Sequence, residues 1–551
     1  MSTEPDPHPV RQFRQVLLWP LRLMPVRGSA GQHAKPWELL TGIGEASPWR
    51  EIVDEYDDAK GRFKERHYNE FVSFLPYVQR FLYGEGRKEQ GMGASAGSPM
   101  RVFRRTDVHT VRAVPRKGSP PIALEVAHID MYFFLDLDLV LLNVEVKAQD
   151  LALSQAQDLL YRFGRAYPAG WDAEGNAQNC LYSAEWLGRE GQVLAQSDAS
   201  QRERFMEHVS HHRAPRIAAH WAWLLEPLVS DHSDLPGELR YRQIEYYRMP
   251  QLCFLAMDQP RALTRNDFVS LALATGPATA GDDHCLPSAD QQLAEFEKRF
   301  CYDRFWTNSG AAPNTRYLCT GHSLVVVGDA NSPFFVNAER GVLAQFRHQH
   351  FLLFLIAHFQ KAALLMYSDR LAEALKNLDI GDAASVRHFK RTIRESFAGF
   401  LRFTHRYWFH EVSEQAQVRA LFRICSNHLE LDPLYTEVKE RIAEMNQYLE
   451  TDSLRRQANT VVRLTVVTIF GLIGTITTGF LGMNLLAEAD ASTGRKLTVF
   501  AMVFVGAMAL TAYTMAKSKR LSDFLDVLSD ERASVWQKCK ALALVWKSDK
   551  N

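Results

Sequence analysis

Small and oxygen-bearing side chains recur along one uncharged stretch near the C-terminus. Gly471, Gly474, Thr475, Thr478, Gly479 and Gly482 stand three, four or one residue apart, and Asn484 follows them. On a helix of 3.6 residues per turn these positions form one continuous stripe. Such a stripe lets backbones approach closely where lipid gives little apolar drive for helix association. It suits either a two-helix anchor packed on itself or a ring of helices around a narrow path wetted by hydroxyl and carbonyl oxygens. Thr465, Thr468, Thr475, Thr477 and Thr478 are more hydroxyl groups than a plain anchor needs. Asn484 is the sharper signal, because its amide requires partners: at the outer end of an apolar helix it caps the helix or presents oxygen to a pathway. Either use is helix packing or a polar path rather than bond making. The chain has no HExxH, GxSxG or GxxxxGK[ST] pattern, and no enzyme is expected.

The elements that must position these residues are legible around them. Residues 464–486 (LTVVTIFGLIGTITTGFLGMNLL) are 23 positions without a charge, and 497–516 (LTVFAMVFVGAMALTAYTMA) are 20 more. About 20 apolar residues cross a hydrocarbon core as helix. The ten residues 487–496 leave room only for a tight turn, so two membrane helices are predicted, at about 461–486 and 497–516. Arg455, Arg456 and Arg463 precede the pair and Lys517, Lys519 and Arg520 follow it, against Arg495 and Lys496 in the turn. This places both termini in the cytoplasm of a bacterial-type inner membrane. In the outer turn, Glu488 and Asp490 either raise the local cation concentration or form a solvated turn.

Upstream, Leu434, Val438, Ile442, Met445 and Leu449 step along one helical face. A helix from Asp432 to Gly482 would be about 75 Å long, a stalk that enters the bilayer as the first span. The helical stalk region is set at 341–460. Within it, residues 351–367 are apolar but interrupted by His358, Gln360 and Lys361, which favours a packing helix over a third span. Residues 1–340 read as one α/β domain. Strands are expected at 100–114, 123–134, 140–148, 243–256 and 323–328, and helices at 49–83, 153–167 and 202–228. The segment 16–26, apolar but carrying Pro20, Arg22 and Pro25, is expected to pack against that domain, with membrane-surface contact as the alternative. After the second span, 517–551 reads as an amphipathic helix, laid along the stalk in preference to the inner membrane surface.

Gly482-Met483-Asn484 at the end of the first of two C-terminal spans, preceded by Leu464-Thr465, Thr468-Ile469-Phe470, Thr475 and Gly479, resembles the CorA family of divalent-cation channels. The resemblance is close over residues 456–515. It implies a homopentamer whose first spans line the pore. It also implies an ion filter at Gly482, Met483 and Asn484, polar pore positions at Thr475 and Gly479, and a hydrophobic constriction at Leu472. The transported ion would be Mg²⁺, with Zn²⁺, Co²⁺ or Ni²⁺ as alternatives, and no further cofactor is implied. The chain departs from the family pattern at Leu481, at 471–473 and in its outer turn, and Asn459 is the nearest counterpart of an inner pore asparagine. A neutral ring of amide oxygens suits Mg²⁺, which sheds water reluctantly and can be held through its hydration shell. The alternative function is a ligand- or partner-regulated membrane effector that uses the same hairpin as a switched pore or anchor.

Other clusters carry two readings each. Asp130, Asp136 and Asp138 lie in an apolar run, where they are structural or hold a regulatory divalent ion between subunits, as in proteins of the resembling family. His208, His211 and His212 sit at helical spacing suited to a transition metal, or on an exposed polar face. Asp282, Asp283, His284 and Cys285 follow a Gly/Ala/Thr-rich stretch and read as loop. Seven scattered cysteines without a CxxC pair point to a reducing compartment, and the N-terminus lacks the pattern of a cleaved signal peptide. The 64 basic and 64 acidic side chains balance, which excludes nucleic-acid binding through bulk charge.

Overall fold

The structure is a computed structural model that describes residues 8–24, 35–41, 47–52, 65–84, 99–245, 247–277, 290–376, 378–379, 382–482, 492–495, 497–498, 501–502, 505–506, 509 and 513. The chain divides into two compact units, Met1–Ile442 and Ala443–Asn551.

The first unit is built on a 14-stranded mixed sheet. Ten strands define its path: β1 (Val10–Met24), β2 (Thr110–Val114), β3 (Ile122–Phe134), β4 (Leu139–Leu151), β5 (Ser183–Leu187), β6 (Val193–Gln196), β7 (Gln251–Met257), β8 (Cys301–Tyr302), β9 (Arg316–Cys319) and β10 (Ser323–Asp329). Their order across the sheet is β6-β5-β2-β3-β4-β1-β7-β10-β9-β8. Val140, Leu141, Leu142 and Val144 of β4 are all buried, so both faces of this strand are covered. That coverage explains why the run LVLLNV shows no polar alternation.

The segment 16–26 turns out to hold the residues of a central strand. β1 pairs with β4 on one side; on the other it pairs with β7 over its first half and with Arg240–Gln243 over its second. Pro20 falls in the gap between those two partners, where its missing N–H leaves no ladder bond unmade. Arg22 is buried and held by Asp369 and by Glu373 at 3.1 Å. The helix expected over 49–83 begins instead as a strand, Trp49–Glu51, with helices at Glu65–Val72 and Pro76–Tyr83. The helix expected over 202–228 is split into α1 (Arg202–His212) and Ala219–Leu224, because Arg213 adopts a left-handed φ of 55° and ends the first.

Helices α2 (Phe351–Lys376), α3 (Ala383–Tyr407) and α4 (Ala416–His428) belong to this same unit, which ends at Ile442; position 340 is not a boundary between compact bodies. Among the described residues one helix, Val342–Lys376, is long and apolar enough to cross a membrane, and 83% of its apolar window is buried. Each of its polar interruptions meets a polar partner, while His358 Nδ1 and Gln360 Oε1 are buried without a hydrogen-bond partner among the described residues. His358 Nε2 lies 3.0 Å from the Gly321 carbonyl, Gln360 donates to the Tyr407 carbonyl at 3.0 Å, and Lys361 lies 3.9 Å from Glu245. Phe359 stacks on Phe134 of β3 with ring centroids 4.1 Å apart, tying α2 to the sheet. The last element whose bounds are described is α5 (Leu431–Gly482), 52 residues long. Tyr435 near its start stacks on Trp408, and Val438 and Ile442 are buried.

Candidate functional site

Leu472, Thr475, Gly479 and Gly482 all lie in α5, within the part of that helix that belongs to the second unit. Met483, Asn484, Glu488 and Asp490 lie outside the described residues, as do the tail 517–551 and residues 282–285. Four threonine hydroxyls of this helix segment donate to the carbonyl four residues back: Thr465 to Val461, Thr468 to Leu464, Thr475 to Gly471 and Thr478 to Gly474, at 2.8–2.9 Å. The hydroxyl proton is thereby used within the helix, and the oxygen keeps a lone pair for an outside donor or cation. Among the described residues, a Cβ added to Gly471, Gly474, Gly479 or Gly482 would meet nothing within 4 Å. Val461, Leu464 and Ile469 are exposed on the same helix. The segment therefore carries an open face of small and hydroxyl residues together with bare apolar side chains.

The three aspartates of the apolar run are each engaged by arginine. Asp130, 1% exposed, accepts a bidentate pair of bonds from Arg104 Nε and Nη2 at 2.7 and 2.9 Å. Asp136, in a left-handed turn at φ 68°, pairs with Arg406 at 2.7 Å, and Asp138 pairs with Arg370 at 3.4 Å. Among the described residues these three do not form a shared ligand cluster; the only such group of three lies elsewhere. A dication at any of them would have to displace a guanidinium.

Around Asp130 the sheet carries a charged seam that the sequence reading missed. Glu145 of β4, 3% exposed, lies 2.5 Å from Arg14 Nη1 of β1, 3.4 Å from Arg347 Nε and 3.4 Å from His128 Nδ1 of β3. Strand register brings these groups to one face: His128 stands opposite Glu145, and Asp130 opposite both Asn143 and Arg104. Arg347 arrives from a single π-helical turn, Phe346–His350, which re-aims the side chains that precede α2. Burial alone would raise the Glu145 carboxyl, yet the fields of His128, Arg347 and Arg14 prevail and hold it below the usual range. Burial first, and then the Asp130 charge, push Tyr132 well above an ordinary phenol. Three guanidinium groups and His128 face two carboxylates in this seam. An acid between two valines of β4 was the available signal, but its arginine partners, Arg14 and Arg347, are more than a hundred residues away.

Compared with protein-family models, with curated proteins and with solved structures, the chain matches none.

Proposed function

We propose that the chain is a CorA-like channel for divalent cations, Mg²⁺ foremost, whose pore is formed by the 464–484 helices of five copies. The observation that carries the reading is the face of α5 where, among the described residues, a Cβ added to the glycines would meet nothing within 4 Å and the threonine hydroxyls are bonded within the helix. In lipid, a helix with this surface is completed by other helices approaching closely. The oxygens left facing the approach can exchange hydrogen bonds with the water shell of a passing ion. Two membrane spans follow from the uncharged runs 464–486 and 497–516, with both termini on the cytoplasmic side. Asn484, at the outer end of the first span, is the filter in this reading, with Gly482 and Met483 beside it. Thr475 and Gly479 line the path below, Leu472 forms the constriction, and Glu488 and Asp490 draw cations to the mouth. The first unit gates the pore, and no bond-making chemistry is assigned to it.

The test is Mg²⁺ flux into liposomes holding the purified protein. Wild type should conduct, and Asn484→Ala should lose flux or selectivity among Mg²⁺, Co²⁺ and Ni²⁺. Unchanged flux and selectivity in Asn484→Ala would overturn the filter assignment, and absence of flux in wild type over a range of internal Mg²⁺ would overturn the channel itself.

A further inference from the structure

The end of α1 and the loop between Val229–Ser230 and Arg240–Gln243 bring together groups that the pore does not use. The ligand atoms of His211, His212 and Asp234 all lie within 4.8 Å of one another, and among the described residues this is the one group of three that could hold a metal ion. His212 Nε2 is 3.7 Å from Asp234 Oδ2. One turn back on α1, the His208 ring lies with its centroid 4.5 Å from that of His212. Its Nε2 is shielded from solvent and has no hydrogen-bond partner.

Both sides of this cluster are held in place. The left-handed Arg213 stops α1 directly after His212 and donates its N–H to the Val209 carbonyl at 2.9 Å, so the last turn is closed. Opposite, the buried Arg240 guanidinium donates to the carbonyls of Ser230, Ser233 and Leu235. The loop is thus wrapped around one cation, and Asp234 sits between two of its clamped carbonyls. A Zn²⁺ ion with ligands at about 2.0–2.1 Å sets neighbouring donors roughly 3.3 Å apart in a tetrahedron. The 3.7 Å between His212 and Asp234 is therefore near closing distance. Imidazole nitrogens with one carboxylate select first-row transition metals, whereas Mg²⁺ prefers oxygen and retains its water.

We propose that His211, His212 and Asp234, with His208 as a further donor, form a binding site for a transition-metal dication of the Zn²⁺ class. The site belongs to the first unit and is separate from the ion path, and occupancy would pin the end of α1 to the 231–239 loop.

The experiment uses the full-length chain in detergent, equilibrated with Zn²⁺ in the presence of excess Mg²⁺, with bound metal measured after dialysis and Co²⁺ absorption as a coordination readout. Wild type should retain one Zn²⁺ per chain and give ligand-field bands with Co²⁺. His212→Ala and Asp234→Asn should each weaken Zn²⁺ binding by roughly tenfold or more, with far-UV circular dichroism unchanged in the metal-free state. Failure of wild type to hold Zn²⁺ against Mg²⁺ would overturn the site, as would variants that bind it as wild type does. Liposome flux and its loss in Asn484→Ala stand or fall independently of either result.

Discussion

Replacing Glu145 by glutamine tests whether the charged seam is a structural centre of the first unit. The amide keeps the shape of the side chain and removes its charge. Arg14, whose side chain is 11% exposed, then faces no carboxylate at 2.5 Å, and Arg347 and His128 lose the same partner. Removing one member of a buried ion pair costs about 3–5 kcal/mol, because the other charge stays desolvated. With an unfolding entropy of about 2.1 cal/mol/K per residue, the unit Met1–Ile442 converts this to a fall in Tm of about 3–5 °C at pH 7. Thermal unfolding of the full-length protein followed by tryptophan fluorescence reads it, since Trp19 is buried in β1. The folded-state pKa of Glu145 lies below its unfolded value. Its contribution is therefore complete above the ordinary glutamate pKa of about 4.3 and is lost as pH falls through the lower, folded value. The gap in Tm between wild type and Glu145→Gln should accordingly narrow on acidification below about pH 4. In a double-mutant cycle with Arg14→Met, the combined loss should be smaller than the sum of the single losses. A fall of less than about 1 °C at pH 7, or a gap that does not change with pH, would refute the reasoning.

Two further substitutions probe other links. Gly479→Leu should leave unfolding of the first unit unchanged, because Gly479 lies in the second unit and an added Cβ there meets nothing within 4 Å among the described residues; a mass measurement of the detergent-purified protein should show fewer than five copies, and an intact pentamer would show that this face is not the contact. Gly321→Ala should destabilise the first unit by roughly 1–3 kcal/mol, since Gly321 has a φ of +82° and an added Cβ would come 3.0 Å from the His428 backbone; an unchanged Tm would remove the claim that this turn, whose carbonyl meets His358, requires glycine.

The parts of this protein that were legible in the sequence depend on near neighbours. The small-residue stripe of α5 follows from residues one, three and four apart, and the stacking of its early turns on α3 and its flanking loop follows the apolar period through Val438 and Ile442. Strands β3, β4 and β10 announce themselves through β-branched runs. The segment 16–26 was harder to read, because Pro20 and Arg22 argue against a central strand; one falls in a gap between partners and the other is neutralised from α2. His358, Gln360 and Lys361 interrupt the apolar run 351–367, and the structure adds that His358 and Gln360 are buried against carbonyls while Lys361 lies near Glu245.

By itself, then, the sequence determined an α/β region followed by helices, and an uncharged C-terminal stretch with a stripe of glycine and threonine, because length, charge and helical period are local properties. Tertiary structure alone decided which acids are free. Arg14 meets Glu145 across 131 residues and Arg22 meets Glu373 across 351. Asp130, Asp136 and Asp138, within nine residues of one another, are each given to a different arginine. Conversely, His212 gains Asp234 only because one helix stops at Arg213 and one loop wraps Arg240. A charge's fate is set by what burial brings against it, and that partner is fixed by chain topology rather than by neighbours along the chain.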